Sequence, residues 1–190
     1  MPRMVEVAVE PLSVSTFGPF GTIVGAVSGS PALDWGTLQT WMAPFDVDGP
    51  TQMTLCRYHR EPVEWSHMER HLGVTQAFLP LGGLASVMVV APPSDPADRT
   101  ALPPPDSVRA FHMDGTVGVV LHRGTWHALR RFPVDARLID IVLLTGRDTQ
   151  AELERQARDG SLPRLTHEAD YAAVHGVTFR CREQDLRARR

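Results

Sequence analysis

Residues 68–83 read "MERHLGVTQAFLPLGG". Glu69 and His71 stand two apart, and in an extended strand residues two apart share a face, so the two side chains point together while Arg70 points away. The bend Leu72-Gly73-Val74 interrupts the strand. Gln76 then opens a returning strand and can face the same space, ahead of an apolar run that ends in Gly82-Gly83. Polar side chains at the head of a strand that otherwise reads as buried predict a shared polar lining inside the fold.

A second cluster lies at residues 118–132, "GVVLHRGTWHALRRF". A turn at Arg123-Gly124 is expected to fold His122 and His127 toward each other across a hairpin, with His127 on the face of Thr125 and Leu129. Around these clusters "MVEVAV", "GTIVGAV", "TQMTLCRYH", "LASVMVVAPP", "VRAFHM" and "RLIDIVLLTG" read as further short strands separated by Gly and Pro turns. The proline-rich stretch 94–107 cannot continue a sheet. Many short strands at such spacing predict an all-β sandwich or barrel. Only "DTQAELERQARDG" has helix composition, from an N-capping Asp148 to a terminating Gly160. The predicted division is a β-barrel domain over 1–147 and a helical, arginine-rich extension over 148–190, its helix short and on the surface.

Composition narrows the function. The chain has 190 residues, 43% hydrophobic and 22% charged, with a net charge of -3, so neither nucleic acid nor an anionic membrane is an expected partner. No apolar run approaches the ~20 residues of a membrane span. Residues 1–14 place acidic side chains where a signal peptide would carry its apolar centre, which predicts a cytoplasmic protein. Cys56 and Cys181 fit neither a metal nor a disulfide framework. There is no lysine: all 19 basic residues are arginine. Schiff-base chemistry on a lysine, including that of pyridoxal phosphate, is therefore excluded. No GxGxxG pattern precedes a helix, so no nucleotide cofactor is expected.

The two clusters resemble the motifs of a cupin, a double-stranded β-helix or jelly-roll barrel. Glu69 holds the first-histidine position of the first motif, His71 the second and Gln76 that of its glutamate, while His127, preceded by Trp126, holds the second-motif histidine. Two imidazoles, a carboxylate and an amide could together bind a divalent metal. Glutamine is a weak neutral ligand, so this pattern leaves the metal open, with Glu69, His71, Gln76 and His127 as its ligands if one is present.

Within the cupins the sequence resembles the ureidoglycolate lyase family. "MERHLGVTQAFLPLGG" and "VLHRGTWHALRRF" match that family's ERHPLGTQAF-type and YHRNVWHHP-type motifs, and "VEPLSVSTFGPFGTIV" resembles its opening. Asp140 falls where members carry an aspartate in their final strand. The chain departs at the RYHD-type segment after the second strand, which here reads "LQTWMAPF". The resemblance implies cleavage of the C–N bond of ureidoglycolate, giving glyoxylate and urea in allantoin breakdown. It implies His127 or Glu69 as base, with His71, His122 and Gln76 binding or donating to the substrate. Arg57 or Arg123 is the candidate fork for the substrate carboxylate, and Trp126 lies beside the substrate. A homodimer is the expected assembly. The alternatives are a diverged metal-dependent cupin, isomerase or dioxygenase, on another small hydroxy acid, and a non-catalytic metabolite-binding cupin. His59, His67, His112, His167 and His175 receive no functional assignment.

Overall fold

The computed structural model describes residues 1–27 and 29–187. Two mostly antiparallel sheets carry the fold. The five-stranded sheet runs in the order Gly21–Val24, Gly118–Leu121, Gln76–Leu81, Leu138–Gly146, Thr51–His59. The seven-stranded sheet runs Thr166–Asp170, His67–His71, Trp126–Ala128, Ser86–Ala91, Arg109–Met113, Val9–Pro11, and Phe132–Pro133 also pairs with Ser86–Ala91.

Side-chain alternation explains how the sheets face one another. Met88 and Val90 from the larger sheet join Phe78, Val119 and Ile139 from the smaller one in a common buried core. Val87, Val89 and Ala91, one residue out of step, enter a second core on the outer side of the larger sheet. The larger sheet is thus buried on both faces, which is why "SVMVVA" is an uninterrupted run of buried residues. Thr51–His59 instead alternates exposed and half-buried residues, because its outer face meets water. The result is an all-β, cupin-like fold: the strand spacing predicts a sandwich or barrel, and the resemblance of the two motifs implies the cupin form.

The second core is covered by both ends of the chain. Arg3–Val7 pairs in parallel with Val177–Cys181, which pairs antiparallel with Glu64–Trp65. Trp65 stacks on Phe179 with ring centroids 5.4 Å apart. The C-terminal helix spans Arg147–Asp159 with Gly146 rather than Asp148 as its N-cap, two residues earlier than its sequence suggests, and ends on Gly160 in the left-handed region. Beyond it, Thr166–Asp170 becomes the edge strand beside His67–His71. The region after the helix therefore builds part of the main sheet and of the outer core.

Arg70, 0% exposed, fastens the proline-rich loop to that outer side. Its guanidinium donates to the carbonyls of Ser94 (2.7 Å), Asp95 (2.9 Å) and Asp98 (2.8 Å) and to Nδ1 of His167, and it lies 4.9 Å from the Trp126 ring centroid. Every donor of this buried cation is used, as burial demands.

Phe111 is fully buried between the sheets, edge-on to Phe17 at 5.3 Å, whereas Leu55 is exposed on the outer face of its strand. Phe111→Ala should lower the unfolding free energy by about 3–5 kcal/mol and Leu55→Ala by no more than about 0.5 kcal/mol, read from denaturant midpoints. Equal costs would contradict the inside–outside assignment of the two faces.

Candidate active site

Two chain crossings create the site. The bend after His71 carries the chain from the larger sheet to the smaller, where Gln76–Leu81 lies. The turn at Arg123-Gly124 carries it back, from Gly118–Leu121 to Trp126–Ala128. Gly124 takes φ +75°, open to glycine at little cost, and its N–H donates to the His71 carbonyl at 2.8 Å, tying the crossings together. Because Arg123-Gly124 joins two sheets, it is not the hairpin turn the sequence suggested. His122 stays exposed at the rim and does not meet His127.

Inside, Glu69 and His127 are directly opposed partners of the antiparallel ladder. Glu69 Oε1 lies 3.6 Å from His71 Nε2 and 3.9 Å from His127 Nδ1. The two imidazole rings are 5.3 Å apart, and Phe78 meets His127 edge-on at 5.9 Å. His71 Nδ1 hydrogen-bonds the Thr166 hydroxyl at 2.8 Å, from the position facing it in the adjoining strand. Gln76 shares the inward face of its strand with Phe78. Its amide nitrogen donates to Thr145 Oγ1 at 3.2 Å, while its Oε1 is buried with no hydrogen-bond partner among the described residues. Glu69 keeps 14% side-chain exposure, so solvent reaches the cluster there.

Electrostatics divides the roles. Burial alone would push the Glu69 carboxyl up, but the charge and hydrogen bond of His71, with the charges of His127 and Arg131, outweigh it and hold the group at about 2. Burial drives His127 down to about 3, helped by the positive charges of Arg131 and His71 and opposed by Glu69 and the Ala128 carbonyl. At neutral pH the pair is carboxylate and neutral imidazole. His127 Nδ1 donates to the Ala128 carbonyl, 3.1 Å away, and a carbonyl can only accept. The ring proton is therefore on Nδ1 and the lone pair on Nε2, which is buried without a hydrogen-bond partner among the described residues.

The other residues singled out from the sequence lie elsewhere. Trp126 is on the opposite face of its strand from His127, in the outer core, donating from Nε1 to Ser94 Oγ at 2.9 Å. Period-two alternation separates these neighbours, so Trp126 is structural rather than beside a substrate. Arg57 is on the exposed face of its strand and binds Asp140 through Nε–Oδ1 and Nη2–Oδ2, both 2.8 Å. Arg123 pairs at the surface with Asp46 (3.0 Å) and Asp48 (2.8 Å). Neither arginine joins the cluster.

Arg131, like Thr145 and Thr166, is a residue that sequence reasoning missed. It is 1% exposed and its guanidinium carbon lies 4.1 Å from the Phe78 ring centroid. Its neighbour Arg130 is exposed and paired with Glu61. The letters "RR" do not tell which arginine turns inward; an irregular stretch after Ala128 decides it.

The donor set also suits a metal ion. One ligand atom each from Glu69, His71 and His127 lies within 4.8 Å of the others, and the unpartnered Gln76 Oε1 is an interior oxygen donor as well. The second nitrogen of each histidine is held by Thr166 or Ala128, as is common for ligating imidazoles.

Comparison with known proteins agrees with this geometry. A family model described as ureidoglycolate lyase matches residues 4–162. A ureidoglycolate lyase of Azotobacter vinelandii is 33% identical over 129 residues, covering 63% of this chain and 74% of that protein. One from Stutzerimonas stutzeri is 33% identical over 133 residues, covering 65% and 74%, and one from Pseudomonas aeruginosa 32% over 128 residues, covering 63% and 72%. With a barrel whose two crossings bring the ERH-type and WH-type motifs together, the chain belongs to the ureidoglycolate lyase family.

Proposed function

We propose that the protein cleaves ureidoglycolate into glyoxylate and urea, with His127 as the acid–base group. The observation that carries this reading is the free lone pair on His127 Nε2, fixed by the Nδ1 hydrogen bond and set beside an ionised Glu69. The substrate is a hemiaminal, so the reaction needs one proton moved and no water consumed. His127 Nε2 takes the hydroxyl proton, the C–O bond becomes a carbonyl, and the C–N bond breaks. The same proton then passes to the departing ureido nitrogen, which completes urea. Glu69 stabilises the imidazolium formed between these steps, at the range where its charge already acts on His127. Gln76 Oε1, buried without a hydrogen-bond partner among the described residues, would accept an N–H of the ureido group, and His71 Nε2, 3.6 Å from Glu69 Oε1, would act beside it.

Should a divalent cation bind, Glu69, His71, His127 and Gln76 would hold it, and it would supply Lewis acidity toward the substrate oxygens. A cytoplasmic homodimer is part of the proposal. Among the described residues no helix is long and apolar enough to cross a membrane, and the exposed Trp35, Leu38 and Met42 offer apolar surface that a second copy would cover.

Urea release from racemic ureidoglycolate, measured above the spontaneous rate, tests the reading. His127→Gln should lower kcat by about 10²–10⁴-fold, and Glu69→Gln should lower it while leaving the fold intact. Wild-type turnover should persist in chelator; loss on chelation with recovery on adding a divalent ion would transfer the chemistry to a metal. Absence of turnover by folded wild type would sink the assignment.

The charge states make a second prediction. A histidine titrates near 6.5 in an unfolded chain, whereas folded His127 titrates at about 3. Between these values the unfolded chain binds more protons, so stability is complete above the upper one and declines as pH falls toward the lower. Glu69, also depressed, adds to the loss below about pH 4.5. His127 should therefore contribute a drop in unfolding free energy of up to about 1.4 kcal/mol per pH unit from pH 6 to 4.5, beside that of His167, which burial and the charges of Arg99 and Arg70 also hold down, at about 4, and His127→Gln should remove its own share of that slope. Parallel slopes for both proteins would show that His127 is not held neutral.

A further inference from the structure

Among the described residues two arginines are buried, and they differ in one respect. Arg70 has every donor satisfied, by the loop it holds and by Nδ1 of His167. Arg131 uses only Nη1, which donates to the Ala128 carbonyl at 2.9 Å and the Arg130 carbonyl at 3.1 Å. Its Nε and Nη2 are buried without a hydrogen-bond partner among the described residues. A desolvated cation with two idle donors is costly unless something supplies the missing acceptors.

The idle atoms are not an arbitrary pair. Nε–H and Nη2–H lie on one edge of the guanidinium plane and point the same way, the side-on fork that accepts both oxygens of a carboxylate. Arg57 shows this in the same chain, binding Asp140 through those two atoms at 2.8 Å each. Among the described residues no carboxylate hydrogen-bonds that edge of Arg131: Glu69 is near enough for its charge to be felt, yet it pairs within 4 Å with His71 and His127 instead. Nη1 fixes the plane through the Ala128 carbonyl that also orients His127, so fork and imidazole share one anchor. The Phe78 ring supports the guanidinium face and touches His127 too.

We propose that Arg131 is the anchor for the substrate carboxylate, its Nε and Nη2 receiving the two oxygens of a small 2-hydroxy carboxylate so that the adjoining hydroxyl-bearing carbon lies toward His127. This deepens, and rests on, the reading of the cluster as a ureidoglycolate site, because that substrate is a 2-substituted carboxylate. Arg57 and Arg123, engaged with Asp140 and with Asp46 and Asp48, are not needed for it.

The test uses glycolate, a minimal 2-hydroxy carboxylate, and its neutral amide glycolamide as probes of the full chain by calorimetry or NMR titration. Wild type should bind glycolate and prefer it to glycolamide. Arg131→Met should weaken glycolate at least about 10–100-fold and erase the preference, and Arg131→Lys, which keeps the charge but loses the fork, should recover only part. The Met variant should also lose the thermal stabilisation that glycolate gives wild type, a readout a purely structural arginine would not move. Equal glycolate affinity in Arg131→Met and wild type would overturn the proposal. So would a wild type that does not discriminate glycolate from glycolamide, a comparison that needs no variant to fold. Ureidoglycolate turnover run alongside separates the two readings. Turnover with an unchanged KM in Arg131→Met removes the anchor and keeps the lyase; Arg131-dependent glycolate binding without turnover does the reverse.

Discussion

The pairing that sets Glu69 opposite His127 is the constraint on which the site rests. In a strand with period two, a slip of one residue would turn Met68 and Arg70 inward and Glu69 and His71 out. Such a slip is prevented from both sides of the sheet. Met68 is buried in the outer core and Arg70 is bound by four acceptor groups of the proline-rich loop and its neighbours, so the outward residues of this strand have places they cannot leave cheaply. On the inner side His71 meets Thr166 of the next strand at the matching position. The register of the candidate site is thus held by residues outside the cluster itself.

Two neighbouring strands extend the same logic. Thr166–Asp170 comes from beyond the C-terminal helix, and its threonine fixes one imidazole; the Ala128 carbonyl, on His127's own strand, fixes the other. Glu69 sits between two oriented rings rather than two mobile ones. Holding a carboxylate, a neutral imidazole and an arginine together in a largely dry interior costs stability, and proteins tolerate such costs where preorganisation serves a reaction. The Arg70 network contrasts with this: equally buried, it is fully satisfied and contributes to folding alone.

What the sequence made legible follows from how local each signal is. The alternation in "TQMTLCRYH" placed its strand residue for residue and "LASVMVVAPP" placed one within two residues at either end, because burial on one face or two writes itself into consecutive letters. Glu69 and His71 were legible as a pair for the same reason. His122 was misread because a glycine turn looks alike whether it closes a hairpin or crosses between sheets; only the pairing partners distinguish them. Trp126 was misread through its adjacency to His127, which in a strand means opposite faces. Thr145, Thr166 and Arg131 were invisible, since each acts across a contact between distant segments, and "THEAD" carries, apart from its threonine, none of the residues that usually announce a strand.

The arrangement also resolves a tension in the site. A base is useful only if it accepts a proton in the transition state, yet burial and the Arg131 charge both work against protonating His127. A carboxylate seated on the free edge of Arg131 cancels that positive charge at the moment the substrate arrives, and leaves Glu69 as the dominant charge facing the ring. The imidazole then gains proton affinity when an anionic substrate is present and not otherwise. The effect is Coulombic, so it is strong in the dry interior and would be slight at the surface. An arginine placed at the rim, as Arg123 is, could bind the same carboxylate but could not switch the base. Burying the cation without a partner in the empty fold is what makes its neutralisation by the substrate consequential.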